Sequence, residues 1–170
     1  MDATLAAYIA GFLDGDGSIH IQFIRQPEYR YGFYVRVSVS FHQHQTGRSG
    51  LEWLRENLKV GYIRNRTGQM SDYVITSRPA IRKLLIDLKP YAVFKQRRVV
   101  EALKLLDAIE GIASPEDFLA VAHQVEAFKA LNRSKRRKIT VQTVLDEWRD
   151  KGWLIPVTTD SVRQRSLADG

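Results

Sequence analysis

The chain has 170 residues, of which 44% are hydrophobic and 26% charged, and its formal net charge is +7. A chain of this length can form one globular domain with a sizeable core, and the composition excludes a disordered protein. No apolar run reaches the length of a membrane span, the N-terminus lacks the pattern of a signal peptide, and the absence of cysteine excludes disulfides, thiolate metal sites and a cysteine nucleophile.

The positive charge is concentrated in the middle of the chain. Residues 17–98 contain 15 Lys or Arg and five acidic residues, whereas residues 1–16 contain three Asp and no basic residue. A basic block of this size is typical of proteins that bind a polyanion, most often nucleic acid. A basic solubilising surface gives the same composition and stays open as an alternative.

The first segment and the two regions that follow it differ in periodicity. Residues 5–14 combine a bulky apolar stripe with a stripe of small residues, which predicts a helix that packs closely against another helix. Alternation with period two then predicts two hairpins. Their strands are expected over residues 18–24, 34–45, 61–66 and 71–76, with a short helix over residues 51–58 between the hairpins.

The second half of the chain returns to helical spacing. Helices are predicted over residues 79–89, 95–109, 115–131 and 141–153. The order predicts an α+β fold with an αββαββα core, a four-stranded antiparallel sheet and C-terminal helices. We interpret residues 1–155 as a single domain without an internal repeat and residues 156–170 as a flexible tail.

The sequence DGDG at residues 14–17 ends the first predicted helix with two carboxylates, although the last turn of a helix disfavours negative charge. Hard anionic oxygens suit Mg²⁺, which takes one or two carboxylates and completes its shell with water and phosphate. A calcium-binding EF-hand loop beginning at Asp14 is excluded, because it requires Gly where Ile19 stands and Glu where Arg25 stands. A plain Asp-Gly turn remains possible from these four residues alone.

The stretch LAAYIAGFLDGDGSI at residues 5–19 resembles the signature of the LAGLIDADG homing endonucleases, and its single copy resembles the single-motif group. Further similarity lies in VGYIRNR…SDY, LKPYAVFKQRR and ALNRSKRRKIT, which occur in the family's order. The resemblance implies a homodimer whose motif helices pack at a two-fold axis. The stripe of small residues then forms the interface: Ala7, Ala10, Gly11 and Asp14. Within this stripe, Asp14 is expected to have a structural role.

The resemblance also implies the catalytic residues. Asp16 corresponds to the acid that binds the divalent metal, Mg²⁺ or Mn²⁺, with the carbonyl of Gly15 as an accessory ligand, and Ca²⁺ is expected to bind without supporting cleavage. Gln45 corresponds to a residue that organises water around the scissile phosphates. Lys95 corresponds to a basic residue that steadies phosphate charge or the attacking water, and Arg48 is a candidate for a second such residue.

The activity that the resemblance implies is a staggered double-strand break with 3′ overhangs, in support of intron homing. The target is a pseudo-palindrome of roughly twenty base pairs, since a strand of about ten residues spans about ten base pairs. An RNA-binding intron maturase and a non-cleaving DNA-binding regulator of the same fold remain alternatives. The expected location is inside a cell, in an organelle or in the bacterial cytoplasm, and the sequence does not decide between them.

The polar faces of the predicted strands supply candidates for DNA reading, because an antiparallel ribbon fits the major groove. Those in the hairpins are His20, Gln22, Ile24, Gln26, Tyr29, Arg30, Arg36, Ser38, Ser40, His42, Arg64, Arg66, Asp72 and Val74. The basic loop after the fifth predicted helix adds candidates for phosphate contacts: Ser134, Lys135, Arg137 and Lys138. His42 and His44 alternate on a strand and are interpreted as polar surface, not as a metal pair.

Overall fold

The structure, a computed structural model, describes residues 1–131 and 139–152. Its elements confirm the predicted α+β class and the order of helices and hairpins. They are α1 (Ala3–Asp16), β1 (Gly17–Arg25), β2 (Phe33–His44), α2 (Arg48–Leu58), β3 (Tyr62–Arg66), β4 (Met70–Ile75), α3 (Arg78–Leu88), α4 (Gln96–Glu110), α5 (Pro115–Ala130) and α6 (Val141–Asp150). The predicted phosphate contacts Ser134, Lys135, Arg137 and Lys138 and the tail over residues 156–170 lie outside the described residues.

The four strands form one antiparallel sheet in the order β1-β2-β4-β3. The β1–β2 hairpin is in register from Gly17 opposite Phe41 to the closing loop, so β1 begins directly at the end of α1. In the neighbouring ladders, Asp72 of β4 lies between His42 of β2 and Arg64 of β3. The central strands therefore bring side chains from three separate sequence regions into one row.

The alternation of side chains divides the sheet into two faces. Odd-numbered residues of β1 and β2, such as Ile21, Val39 and Phe41, are fully buried in the hydrophobic core with α1 and the other helices. Even-numbered residues of β1 and β2 point to the opposite face, which we call the outer face, and most of them are exposed or half-buried. The predicted polar face of the hairpin is thus the surface left free by the helices.

Two boundaries differ from the predictions by three residues, and the others by at most two. The helix predicted over residues 51–58 begins earlier, because a 3₁₀ turn over Gln45–Gly47 leads directly into α2 at Arg48. An ion pair between Arg48 and Glu52, one helical turn apart (2.9 Å), adds a small stabilisation to the first turn of α2. The last helix ends at Asp150 instead of residue 153, because Gly152 takes a left-handed conformation (φ 68°) that ends helices.

The two C-terminal helices pack against the far end of the first hairpin. Both begin with a capping box, Ser114 with Asp117 in α5 and Thr140 with Thr143 in α6. Trp148 of α6 is completely buried. Among the described residues, no helix has the length and hydropathy needed to cross a bilayer.

Candidate active site and nucleic-acid interface

The two acids at the end of α1 have different environments. Residues two apart on a helix are separated by about 200° around its axis, so their side chains leave on nearly opposite sides. Asp14 is half-buried and points toward the start of α4, whereas Asp16 is exposed at the junction with β1. The helix thus gives one carboxylate to the protein and leaves the other accessible.

The carboxylate of Asp14 accepts three backbone hydrogen bonds from the segment that precedes α4. The donors are the N–H groups of Val93 (2.6 Å), Phe94 (3.0 Å) and Lys95 (2.8 Å). An anion beside a helix N-terminus is favoured by the helix dipole and by the amide groups that the helix itself leaves unbonded. Asp14 therefore fixes the backbone that carries Lys95.

The side chain of Lys95 in turn contacts the end of α1. Its side chain is 8% exposed, and its Nζ donates a hydrogen bond to the main-chain carbonyl of Asp14. Burial lowers the pKa of Lys95, and the charge of Arg98 lowers it further, while the charges of Asp14 and Asp16 oppose this shift. The result is a buried amine held at the negative end of α1, next to the exposed Asp16.

Asp16 has the properties of a metal ligand. Its Oδ2 accepts a hydrogen bond from Gln43 Nε2 (2.9 Å), and the backbone of Gly15 beside it is exposed, with no atom within 4 Å of where a side chain would begin. Across residues 1–131 and 139–152 no group of three or more His, Asp or Glu is placed to enclose a metal. A cation that takes one or two carboxylates plus water and phosphate, such as Mg²⁺, fits this donor set.

Gln43, which the sequence did not single out, is the side chain that contacts Asp16. Gln45 lies two residues further on in the 3₁₀ turn, where it is exposed and its backbone N–H donates to the carbonyl of Gln69 (2.8 Å). The alternation of β2 could have indicated Gln43, because Gln43 shares the helix-side face of the sheet with Phe41. Phe41 lies opposite Gly17, directly after Asp16. The pairing register was needed to use that signal.

The hydrogen bonds of the Arg48 side chain are with Glu52 and Asn65. Its guanidinium donates to Glu52 (2.9 Å) and to Asn65 Oδ1 (2.6 Å), which joins α2 to β3. In this conformation Arg48 is therefore a link between two elements. Its predicted role as a second basic residue at the phosphates stays a prediction.

Most of the predicted DNA-reading residues do form one accessible surface. They lie on the outer face or in the β1–β2 loop and are exposed or half-buried: His20, Gln22, Ile24, Gln26, Tyr29, Arg36, Ser38, His42, Arg64 and Arg66. The exposed members include three arginines, which suits contact with a polyanion. The surface is continuous with Asp16 because β1 starts at Gly17.

Three predicted DNA-reading residues, Ser40, Asp72 and Val74, are buried and present no side chain at the surface. Ser40 and Val74 are buried because they lie side by side on the outer face, with Val74 covered between Ser40 and Tyr62 of the flanking strands. The expectation that the side chains of Ser40, Asp72 and Val74 point at DNA is wrong for the free chain. Arg30 is exposed and its guanidinium donates to the carbonyl of Ala113 (3.3 Å), so its predicted contact with DNA stays a prediction.

Asp72 organises the basic part of the outer face. Its carboxylate is fully buried beneath His42, whose Nδ1 lies 2.7 Å away, and Arg64, whose Nη2 donates at 2.9 Å. Arg66 adds a longer ion pair at 3.6 Å. Burial raises the pKa of Asp72, but the hydrogen bonds from His42 and Arg64 together with nearby positive charge outweigh it and lower the pKa overall.

The small stripe on α1 is only partly free to meet a second helix. Ala7 and Gly11 are exposed, and no atom lies within 4 Å of the position a Gly11 side chain would occupy. Ala10, in contrast, is completely buried in the chain's own core, so its predicted place in a dimer interface is wrong. Asp14 is held by the segment before α4, so its carboxylate also faces its own chain. One residue per turn, from Ala7 through Gly11 to Gly15, marks the accessible stripe.

Comparison with known proteins agrees with this geometry. Residues 9–99 match the family described as LAGLIDADG endonuclease. The DNA endonuclease I-CreI of Chlamydomonas reinhardtii is 37% identical over 140 residues, which cover 81% of this chain and 84% of that protein.

A second relative has been solved with DNA. The DNA endonuclease I-CvuI of Chlorella vulgaris is 26% identical over 138 residues, covering 81% of this chain and 86% of that protein. Its crystal structure with the I-CreI target and 2 mM Mg, in which the DNA is not cleaved, superimposes with a TM-score of 0.83 at 25% identity over 90% of this chain and 98% of that chain. The same protein with its own target and 2 mM Ca also gives a TM-score of 0.83.

The substitution Asp14→Asn separates the roles of the two acids. We expect it to lower the free energy of unfolding by about 2 kcal/mol, because hydrogen bonds to a charged acceptor at a helix N-terminus weaken and an amide N–H₂ then faces backbone N–H groups. The matched variant Asp16→Asn removes an exposed charge and should leave stability within about 0.5 kcal/mol. Urea denaturation of both variants measures the difference, and equal losses would contradict the assignment.

The substitution Asp72→Asn tests the charge cluster on the outer face. A carboxyl whose pKa is lowered by folding stabilises the protein fully above its unfolded pKa, near 4, and loses this contribution as the pH falls through the lower folded value. We expect the variant to lose about 1 kcal/mol at pH 7, a discounted value because Arg64 and Arg66 are more than half exposed. The difference from wild type should shrink below about pH 4, and a difference that is constant with pH would contradict the charged state of Asp72.

Proposed function

Because the chain belongs to the LAGLIDADG endonuclease family, we propose that it is a site-specific homing endonuclease that hydrolyses DNA in the presence of Mg²⁺. The observation that carries this proposal is the division of labour at the end of α1. The carboxylate of Asp14 accepts backbone hydrogen bonds, while Asp16 stays exposed next to Gln43 and the buried Lys95. A protein that only binds nucleic acid needs no such arrangement.

The residues divide the hydrolytic work among them. Asp16 and the carbonyl of Gly15 hold the divalent cation, which when bound supplies charge stabilisation at the phosphate and a more acidic water. Gln43 orients the Asp16 carboxylate through its hydrogen bond at 2.9 Å. Lys95 stabilises negative charge on the phosphate or steadies the attacking water from a position fixed by Asp14. Gln45, at the adjoining turn, organises water around the scissile phosphate.

Target recognition falls to the outer face. Arg36, Gln22 and His20 project from the paired strands β1 and β2, which as an antiparallel ribbon match the width of the major groove. The strand β1 has nine residues, a length of about 30 Å, which corresponds to about nine base pairs. Two copies of the chain then read a pseudo-palindrome of roughly twenty base pairs.

We propose that two copies pack through the stripe of Ala7, Gly11 and Gly15 on α1. Close packing at this stripe brings the two exposed Asp16 carboxylates to a shared centre, one for each DNA strand. Staggered cuts with 3′ overhangs and a role in intron homing follow from the family, and we extend them to this chain. RNA-splicing activity and DNA binding without cleavage are the alternative outcomes of the experiments below.

The substitution Asp16→Asn tests the activity. We expect cleavage of the target in Mg²⁺ to fall by about 10³-fold or more, because the cation loses its charged ligand. Binding of the same duplex in Ca²⁺, measured by gel shift, should change less than about ten-fold, because the outer face is untouched. The target is identified beforehand, by cleaving a library of randomised duplexes with the wild-type protein and sequencing the products.

The control is Asp107→Asn, which removes an exposed charge from α4 and should leave cleavage unchanged. Unaltered cleavage by Asp16→Asn would refute the assignment of the site. A wild-type protein that binds duplex DNA tightly without cutting it would favour the regulator, and one that binds and promotes splicing of intron RNA would favour the maturase.

The substitution Gly11→Leu tests self-association. The free chain has room for the new side chain, so the protein should fold, whereas a close helix pair cannot accommodate it. We expect the dimer dissociation constant to rise at least about ten-fold, measured by sedimentation equilibrium. Gly50→Leu is the matched control, since Gly50 also lies in a helix with open space. Identical self-association of Gly11→Leu and wild type would contradict the proposed interface.

A further inference from the structure

The β1–β2 loop is held from behind by the C-terminal helices. This loop, residues 26–32, is closed by its own backbone hydrogen bonds, from Gln26 N–H to the carbonyl of Gly32 (2.9 Å) and from Gly32 N–H to the carbonyl of Tyr29 (2.7 Å). Gly32 takes a left-handed conformation with φ of 71°. A loop of this length has several accessible conformations, so its shape depends on what it packs against.

Trp148 of α6 provides the central contact. Its Nε1–H donates to the main-chain carbonyl of Tyr31 (3.0 Å), and this hydrogen bond is buried. The rings of Tyr31, Phe118 and Trp148 pack together, with centroids 5.2 to 5.8 Å apart. The indole thus fixes one peptide plane of the loop directly before the left-handed Gly32.

Three further contacts join the same surfaces. The hydroxyl of Tyr31 donates to the carbonyl of Ala113 (3.2 Å), and the guanidinium of Arg30 donates to the same carbonyl (3.3 Å). At the base of the loop, Arg25 forms an ion pair with Glu147 of α6. The rear of the loop is therefore tied to the start of α5 and to α6 at successive points.

The front of the loop faces the opposite way. The ring of Tyr29 is more than half exposed and stacks on Tyr34 of β2, with centroids 5.1 Å apart. Arg36 donates to the hydroxyl of Tyr34 (2.7 Å) and extends the same row along the outer face. A shift of the loop backbone therefore moves the exposed ring of Tyr29 relative to Tyr34 and Arg36 of β2.

We propose that Trp148 is a positioning residue that fixes the β1–β2 loop for reading the outermost base pairs of the target. This inference rests on the proposed function, because it assigns the loop a part in DNA recognition. The loop lies at the far end of β1 from Asp16, at a distance of about 30 Å, which corresponds to base pairs about nine positions from the centre. Trp148 itself touches no DNA, and it acts through the carbonyl of Tyr31.

The variant Trp148→Phe tests the proposal with two measurements, since it retains an aromatic ring and removes the N–H donor. Amide hydrogen exchange of the free protein reports on the loop, and we expect the amides of Gln26, Tyr29 and Gly32 to exchange about five-fold faster. Cleavage of a library randomised through the half-site reports on specificity. Discrimination should fall about five-fold at the outermost positions and stay unchanged at positions read by Arg64 and Arg66.

The control variant is Phe128→Leu, which removes buried aromatic volume near the C-terminal end of α5 without touching the loop. It should lower the melting temperature while the specificity profile stays that of the wild type. Unchanged loop exchange in Trp148→Phe, or a uniform loss of activity at all positions, would overturn the positioning role. Failure of the wild-type protein to cut any duplex would refute the proposed endonuclease instead, and faster loop exchange would still support the contact with Trp148.

Discussion

The candidate site depends on reciprocal contacts of two charged side chains, one at the end of α1 and one at the start of α4. Asp14 places a carboxylate on the amide groups before α4, and Lys95 places an amine on a carbonyl at the end of α1. Each group meets the helix terminus whose dipole favours it, and each comes from the other helix. These residues are 81 apart in sequence. Their contacts therefore join the two ends of the segment that contains both β-hairpins, and they fix the position of Asp16 relative to Lys95.

The sheet turns that local arrangement into an extended surface. Since β1 begins at Gly17, directly after Asp16, the direction of the hairpin is set by the same helix end that carries the acid. The buried odd-numbered face, with Ile21, Val39 and Phe41 in the core, leaves the polar side chains no alternative but the outer face. Asp72 then holds Arg64 and His42 in defined positions, at the cost of keeping a negative charge within a basic surface.

The sequence predicts the parts of this structure that local periodicity determines. Helical and alternating spacing gave the element order and the polar face, because both patterns act over a few residues. The contact of Gln43 with Asp16 depends on the register of β1 on β2, and the hydrogen bonds of Asp14 join segments that are far apart in sequence. The spacing of residues along the chain therefore predicts neither contact. Ala10 shows the limit most clearly: the small stripe is real, but only burial decides that Ala10 faces its own core while Gly11 stays free.

The helix that ends in DGDG resolves the apparent conflict with its dipole in two ways. One acid has its partners within the chain, because the N–H groups before α4 donate hydrogen bonds to the Asp14 carboxylate and the amine of Lys95 donates to the Asp14 carbonyl. The other acid remains uncompensated by any positive side chain within hydrogen-bonding distance among the contacts of the described residues, with Gln43 as its partner. An exposed carboxylate at a negative helix end raises the local affinity for a cation. The fold therefore stabilises its own helix terminus with Asp14 and leaves the Asp16 carboxylate exposed, as the proposed metal site requires.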